Sequence, residues 1–218
     1  MTKNSNVNSI SLSINDFKAA SSLENVLIID TRLPDYYELG HVFSSINICH
    51  NQAYGNNLGS VFYMHNPILI VSKESEIQQS YSNLISIGFT KILGHLNGGI
   101  EAWIAENQKF DMVISISSEE LALDAKHNPS AIILDVRSKA EYNALHVANA
   151  VNLTLEEIAK EIPKLNKFQE TLIYSNSGYS SMLVSGLLKH FGFTNIKNVW
   201  GGFERIKEET VELISTKS

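Results

Sequence analysis

The sequence predicts an α/β protein built from two similar units, each a parallel sheet flanked by helices. Three observations carry this. Four- and five-residue runs of aliphatic residues, such as Val26-Leu27-Ile28-Ile29 and Pro67-Ile68-Leu69-Ile70-Val71, read as strands buried on both faces of a sheet. Segments with helical periodicity alternate with those runs, which calls for parallel strands joined by crossover helices. The whole pattern then returns about 104 residues later.

The elements follow in order. Residues 1–9 are polar and read as a disordered lead. Ser13 is placed to cap a helix carrying Ile14, Phe17 and Leu23. The strand 26–29 ends in Asp30-Thr31-Arg32. Pro34 to Val42 reads as a short helix closed at Gly40, and Ser45-Ile46-Asn47-Ile48 as a second strand. Residues 49–65 are irregular and aromatic. The strand 67–71 is followed by a helix from Glu76 to Ile87 that closes at Gly88. Ile92 to Leu96 is a strand, and a helix begins at Ile100 after Asn97-Gly98-Gly99.

Then the order repeats. Ile114-Ser115-Ile116-Ser117 echoes Ile10-Ser11-Leu12-Ser13. Leu134-Asp135-Val136-Arg137 echoes Ile29-Asp30-Thr31-Arg32. His146-Val147 echoes His41-Val42, Val151-Asn152-Leu153 echoes Ile46-Asn47-Ile48, and Trp200-Gly201-Gly202-Phe203 echoes Asn97-Gly98-Gly99-Ile100. The predicted organisation is a lead of residues 1–9, a first unit of 10–112 and a second of 113–218. About 100 residues per unit is a normal size for one hydrophobic core.

Composition narrows the function. The 218 residues are 44% apolar and 18% charged, as in an ordinary globular protein. Net charge is −6 with no basic run, which argues against nucleic acid as a partner. No apolar stretch approaches the roughly 18 residues of a membrane span, and the polar start lacks the apolar core of a signal peptide. Cys49 is the single cysteine, so an intramolecular disulfide and a multi-cysteine zinc site are both excluded. These features predict a cytoplasmic protein. His41, His50, His65, His95, His127, His146 and His190 show no metal-ligand spacing, and neither metal nor cofactor is expected.

The candidate site is the loop Ser175-Asn176-Ser177-Gly178-Tyr179-Ser180-Ser181. The apolar run Thr171-Leu172-Ile173-Tyr174 leads into it. A helical pattern beginning near Ser181 leaves it, with Met182, Leu183, Leu187, Leu188 and Phe191 on one face. A strand that ends in a small glycine-bearing loop and starts a helix directs backbone N–H groups and the positive helix end at one point. Such a loop cradles an anion. It also reads simply as a strand-to-helix connection. In the first unit the equivalent Ser72-Lys73-Glu74-Ser75-Glu76 has no glycine, and its glutamates oppose an anion.

Three other groups bear on chemistry. Cys49 reads as a buried small residue, with a reactive thiol as the alternative. Asp30, Arg32, His41, Asp135, Arg137 and His146 suggest Asp–His pairs, but at strand ends such side chains tie connections together, and a structural role is expected. Trp103, Trp200 and Phe203 read as fillers of the seam between helix and sheet.

The order Asp135-Val136-Arg137, Glu141-Tyr142, His146-Val147, Ala150-Val151-Asn152, then strand, loop, helix and Trp200-Gly201-Gly202-Phe203 resembles the rhodanese family. The first half is similar, through Asp30-Thr31-Arg32, Gly40-His41-Val42 and Asn97-Gly98-Gly99. The resemblance implies sulfurtransferase chemistry, in which a loop cysteine takes sulfane sulfur and passes it to an acceptor. An arginine five places on helps to hold the anionic donor. Those positions are Ser175 and Ser180 here, so both groups are missing. A hydroxyl is far less acidic than a thiol, and the loop supplies no base to activate it. The related phosphatases have a loop one residue longer, with the arginine at the place of Ser181. The tandem is also similar to the rhodanese half of proteins fused to a metallo-β-lactamase-type persulfide dioxygenase, and this chain then stands alone or is a fragment. The expected function is an inactive regulatory or binding module in sulfur metabolism, holding a small anion or a protein partner. The alternative is an active sulfurtransferase, using Cys49 or a cysteine native to position 175.

Overall fold

In the computed structural model of the chain, the described residues are 9–49, 58–62, 64–209 and 211–216. Most of the expected lead, and His50, lie outside them. The chain divides into two compact units, Met1–Met112 and Val113–Ser218.

The first unit runs β1 (Ser11–Leu12), α1 (Ile14–Ser21), β2 (Leu27–Asp30), α2 (Pro34–Leu39), β3 (His41–Val42), β4 (Ile46–Asn47), α3 (Leu58–Val61), β5 (Ile68–Val71), α4 (Ile77–Ile87), β6 (Ile92–Leu96), α5 (Gly99–Ala105) and β7 (Phe110–Asp111). Its five-stranded sheet has the order β1-β6-β5-β2-β4, and every pairing is parallel. The central strand β5 is buried at all four positions, which is why it reads as an unbroken aliphatic run. Ser13 accepts a hydrogen bond from the Asp16 N–H and so starts α1.

The second unit repeats this with β8 (Ile114–Ile116), α6 (Ser118–His127), β9 (Ile132–Asp135), α7 (Lys139–Ala144), β10 (His146–Val147), β11 (Val151–Asn152), α8 (Leu155–Glu161), β12 (Thr171–Tyr174), α9 (Tyr179–His190), β13 (Ile196–Val199), α10 (Gly202–Ile206) and β14 (Leu213–Ile214). Its parallel sheet has the order β11-β9-β12-β13-β8. Read from the opposite edge, the first sheet has the same order. Each unit adds a small antiparallel pair, β3 with β7 and β10 with β14. In both units the loop after the central strand opens at the carboxyl end of the sheet, where open α/β sheets bind ligands.

Four details differ from the sequence-based expectation. Gly40 does not close α2 in the left-handed region. Its φ of 169° is extended backbone, and Leu145 occupies the equivalent place with φ −164°. A short helix, α3, forms inside the stretch expected to be irregular. Helix α9 begins at Tyr179 rather than near Ser181, because Gly178 takes φ 95° and caps it. Phe191 falls just past the last helical residue and is 47% exposed, so it leaves the buried face of α9.

Candidate functional site

Strand β12 delivers Ser175 into the crevice at its carboxyl end. Ser175 is 3% exposed. Its hydroxyl accepts the Gly178 N–H at 3.0 Å and donates to the Ser181 hydroxyl at 3.2 Å. Ser181 in turn donates to the Gly178 carbonyl at 3.0 Å, and the Ser185 hydroxyl donates to the Ser181 carbonyl at 2.8 Å. The loop is therefore tied to its own helix by hydroxyls. Asn176 and Ser177 are exposed, and Tyr179 and Ser180 are half-buried, at the first turn of α9. The N–H groups of a helix's first turn have no helical carbonyl to meet, so this is the part of the loop suited to an acceptor.

The loop is also pinned from outside. Ser175 O accepts the Phe203 N–H at 2.7 Å, and Asn176 O accepts the Glu204 N–H at 3.1 Å. Gly202 makes this approach possible. Its φ is 62°, and a Cβ there would collide with the backbone oxygens of Ser175 and Asn176. The first unit has the same device: Gly99 has φ 61°, and a Cβ would lie 2.9 Å from Ser72 O. There the loop hydroxyl, Ser72, meets Ser80 at 2.9 Å, and Ser80 meets Thr31 at 2.8 Å. Lys73 Nζ sits 3.7 Å over the Tyr36 ring rather than pointing into the loop.

The predicted polar residues form one lattice, present twice. Arg137 Nε donates to Asp135 at 3.0 and 3.1 Å, and its terminal nitrogen donates to Asp135 at 2.6 Å and to Leu145 O at 2.8 Å. Arg32 binds Asp30 and Gly40 O in the same way, at 2.6 and 2.7 Å through one nitrogen. Both pairs are buried. Burial alone would lower the Arg137 pKa; the bonds and charge of Asp135 outweigh it, and the net shift is upward.

His146 stacks on Tyr142, with centroids 3.7 Å apart, and its Nδ1 lies 2.7 Å from Tyr142 O. His41 stacks on Tyr37 at 3.9 Å, with Nδ1 2.9 Å from Tyr37 O. Sequence reasoning missed other members of the lattice. Asn152 Nδ2 bridges the carbonyls of Asp135 and Arg137, as Asn47 does those of Asp30 and Arg32. The hydroxyls of Tyr142 and Tyr37 reach Ala150 O and Ser45 O, each at 2.6 Å. Their repetition in the two halves was the available signal.

Among the described residues, aromatic rings flank the arginine of the second unit. Arg137 Cζ lies 3.6 Å over Phe203 and 5.4 Å over Tyr174. Burial pushes the Tyr174 hydroxyl pKa up strongly, and that hydroxyl accepts the Val147 N–H. Trp103 and Phe203 are buried as expected, but Trp200 is 51% exposed, with the Arg205 guanidinium 5.5 Å over its ring. Cys49 is 0% exposed. Among the described residues, no group of three or more His, Cys, Asp or Glu side chains is placed to hold a metal, and no helix is long and apolar enough to cross a membrane.

The rhodanese-like domain family matches residues 13–106 and 118–209. The chain belongs to that family. Its relatives include the adenylyltransferase and sulfurtransferase of Candida glabrata, 36% identical over 83 residues, covering 33% of this rhodanese-like chain and 19% of that protein. The thiosulfate sulfurtransferase GlpE of Coxiella burnetii is 34% identical over 76 residues, covering 35% of this chain and 71% of its own. The crystal structure of a thiosulfate sulfurtransferase from Pseudomonas aeruginosa is 15% identical, with a TM-score of 0.43, over 95% of this chain and 44% of that one.

Proposed function

We propose that this rhodanese-like tandem is a binding module that has lost sulfur transfer. Its ligand is a small anion, or the acidic side chain of a protein partner in sulfur metabolism, held at the loop of the second unit. The observation that carries this is the buried Ser175 hydroxyl, occupied by Gly178 and Ser181, at the place where transfer needs a thiolate. Ser180 adds no positive charge at the helix start. The loop keeps Gly178 and the first turn of α9, and contacts of that kind contribute about 0.3–1 kcal/mol each when exposed. Binding is therefore weak. The first unit, with Glu74 and Glu76 at its loop, does not share it. The tandem order is also similar to the rhodanese half of fusions with a metallo-β-lactamase-type persulfide dioxygenase.

The competing reading is a sulfurtransferase, which the names of the relatives support. It requires a thiol, and the one available, Cys49, is buried.

A steady-state assay of thiosulfate and cyanide tests the choice. Wild type is expected to stay at background, and the double variant Ser175→Cys with Ser180→Arg to gain turnover. Turnover by wild type that vanishes in Cys49→Ser would overturn the proposal. For binding, phosphate titrated against wild type is expected to shift the amide signals of 176–181 and not those of 72–76. A silent loop at millimolar phosphate would remove the anion reading.

A further inference from the structure

A second concavity lies away from the loop. It measures about 360 Å³ and opens between α6 and the β10–β14 pair. Ala122, Ala125, Val147, Ala148 and Val211 form its apolar floor, and Lys126, Asn149 and Glu212 stand around it. Its volume is at the small end of the range for ligand pockets.

The repeat sets this space against its counterpart in the first unit. By chain register, the first unit has Phe17 where the second has Leu121, Lys18 where it has Ala122, Phe43 where it has Ala148, and Trp103 where it has Ile206. Phe17 meets Trp103 edge-on at 5.9 Å, and the Trp103 N–H donates to Lys109 O at 2.8 Å. Lys18 Nζ then reaches Gln108 at 2.7 Å. In the second unit every one of these side chains is smaller, and Glu212 O accepts the Ala148 N–H instead. The first copy holds the Phe17–Trp103 pair and the Lys18–Gln108 bond here, and the second holds the concavity.

The groups around the hollow indicate what fits. Among the described residues, the side chains of Lys126, Asn149 and Glu212 make no hydrogen bond or ion pair. One ammonium and one carboxylate flank an apolar floor. A carboxylic acid alone would meet Glu212 unfavourably, and an amine alone would meet Lys126 unfavourably. A compact zwitterion with an apolar side chain satisfies both charges and buries its body on the alanines and valines.

We propose that the second unit carries a binding groove for an apolar α-amino acid between α6 and the β10–β14 pair. Leucine is the probe, titrated into the full isotope-labelled chain to about 20 mM, which covers the millimolar affinity expected of so small a ligand. Glycine, 4-methylpentanoate and 3-methylbutylamine serve as controls.

Saturable shifts at Ala122, Ala125, Val147 and Ala148 are expected with leucine, and roughly tenfold weaker responses with each control. Ala122→Phe, which restores bulk at the floor, should abolish binding while the remaining spectrum stays that of a folded chain. Should that variant fail to fold, the surface variants Lys126→Ala and Glu212→Ala take its place, each weakening leucine roughly tenfold. The proposal is overturned by no saturable shift in wild type, by shifts that survive these substitutions, or by equal binding of the single-charge analogues. Preference for a leucine-bearing peptide over free leucine would likewise reject it and mark the groove as a protein-docking site.

Discussion

At the scale of single residues, the Asp–Arg pairs show what a buried charge demands. Asp135 and Arg137 lie almost out of water, and each is satisfied by the other and by nearby backbone groups. Removing one partner strands the other, a loss of about 3–5 kcal/mol. Asp135→Asn is therefore expected to lower the stability of the second unit by that order in urea unfolding; a loss below about 1 kcal/mol would show that Arg137 finds water or another acceptor. His95 gives a pH dependence. It is buried in the first unit, with Nδ1 3.4 Å from the Tyr81 hydroxyl. Burial lowers its pKa below the ordinary 6.5, against the opposing charge of Glu74 and a bond to Ile10. The folded state thus binds fewer protons than the unfolded chain. Its contribution is full above the unfolded pKa and is lost as pH falls below it. Stability measured from pH about 7 to about 5 should decline more steeply in wild type than in His95→Asn. Asparagine is the choice because Asn198 holds the equivalent position in the second unit, opposite Ser115 as His95 is opposite Ser11.

At the scale of elements, the turn before α10 decides where the candidate loop sits. Gly202 permits the backbone of Ser175 and Asn176 to receive the Phe203 and Glu204 N–H groups. Gly202→Ala would add strain in the left-handed region, about 1–3 kcal/mol, and push the loop away from the turn. The expected outcome is a lower melting temperature together with shifted amide signals at 175–178; unchanged signals there would show that the turn moves and the loop does not. Helix starts are set more locally. Ser117 and Glu120 form a reciprocal capping box at α6, as Ser138 and Glu141 do at α7. Ser117→Ala should cost about 1 kcal/mol, read by thermal or urea melting.

At the scale of the whole molecule, each unit owns a sheet, an antiparallel pair and a core. Phe17, Leu69, Leu96 and Trp103 belong to one core, and Leu121, Leu172, Val199 and Ile206 to the other. A fragment of residues 113–218 is expected to fold alone with a cooperative melt. A fragment that stays unfolded would show that this core is incomplete without residues 1–112.

The strands and their parallel arrangement were legible because a strand buried on both faces has to be largely apolar: β5 is aliphatic throughout, and β12 is buried at all four positions with Leu172 and Ile173 at its centre. The second sheet was legible because a duplicated chain repeats its apolar runs and turn residues in register. That positions 175 and 180 carry hydroxyls, with neither a thiol nor a guanidinium, was readable at once, since side-chain identity is the sequence itself. What the residues touch was decided only by tertiary structure. Gly40 looked like a left-handed helix stop, yet its extended backbone is one that Leu145 adopts equally well. Trp200 and Phe191 carry apolar side chains but fall outside the faces that periodicity assigned them. The Ser175 hydroxyl turns inward through bonds to Gly178 and Ser181, three and six residues on, which no periodicity announces, and the concavity of the second unit is walled by segments far apart in sequence. Local pattern records which residues want to be buried. Which partner each one meets depends on the packing of the completed sheet.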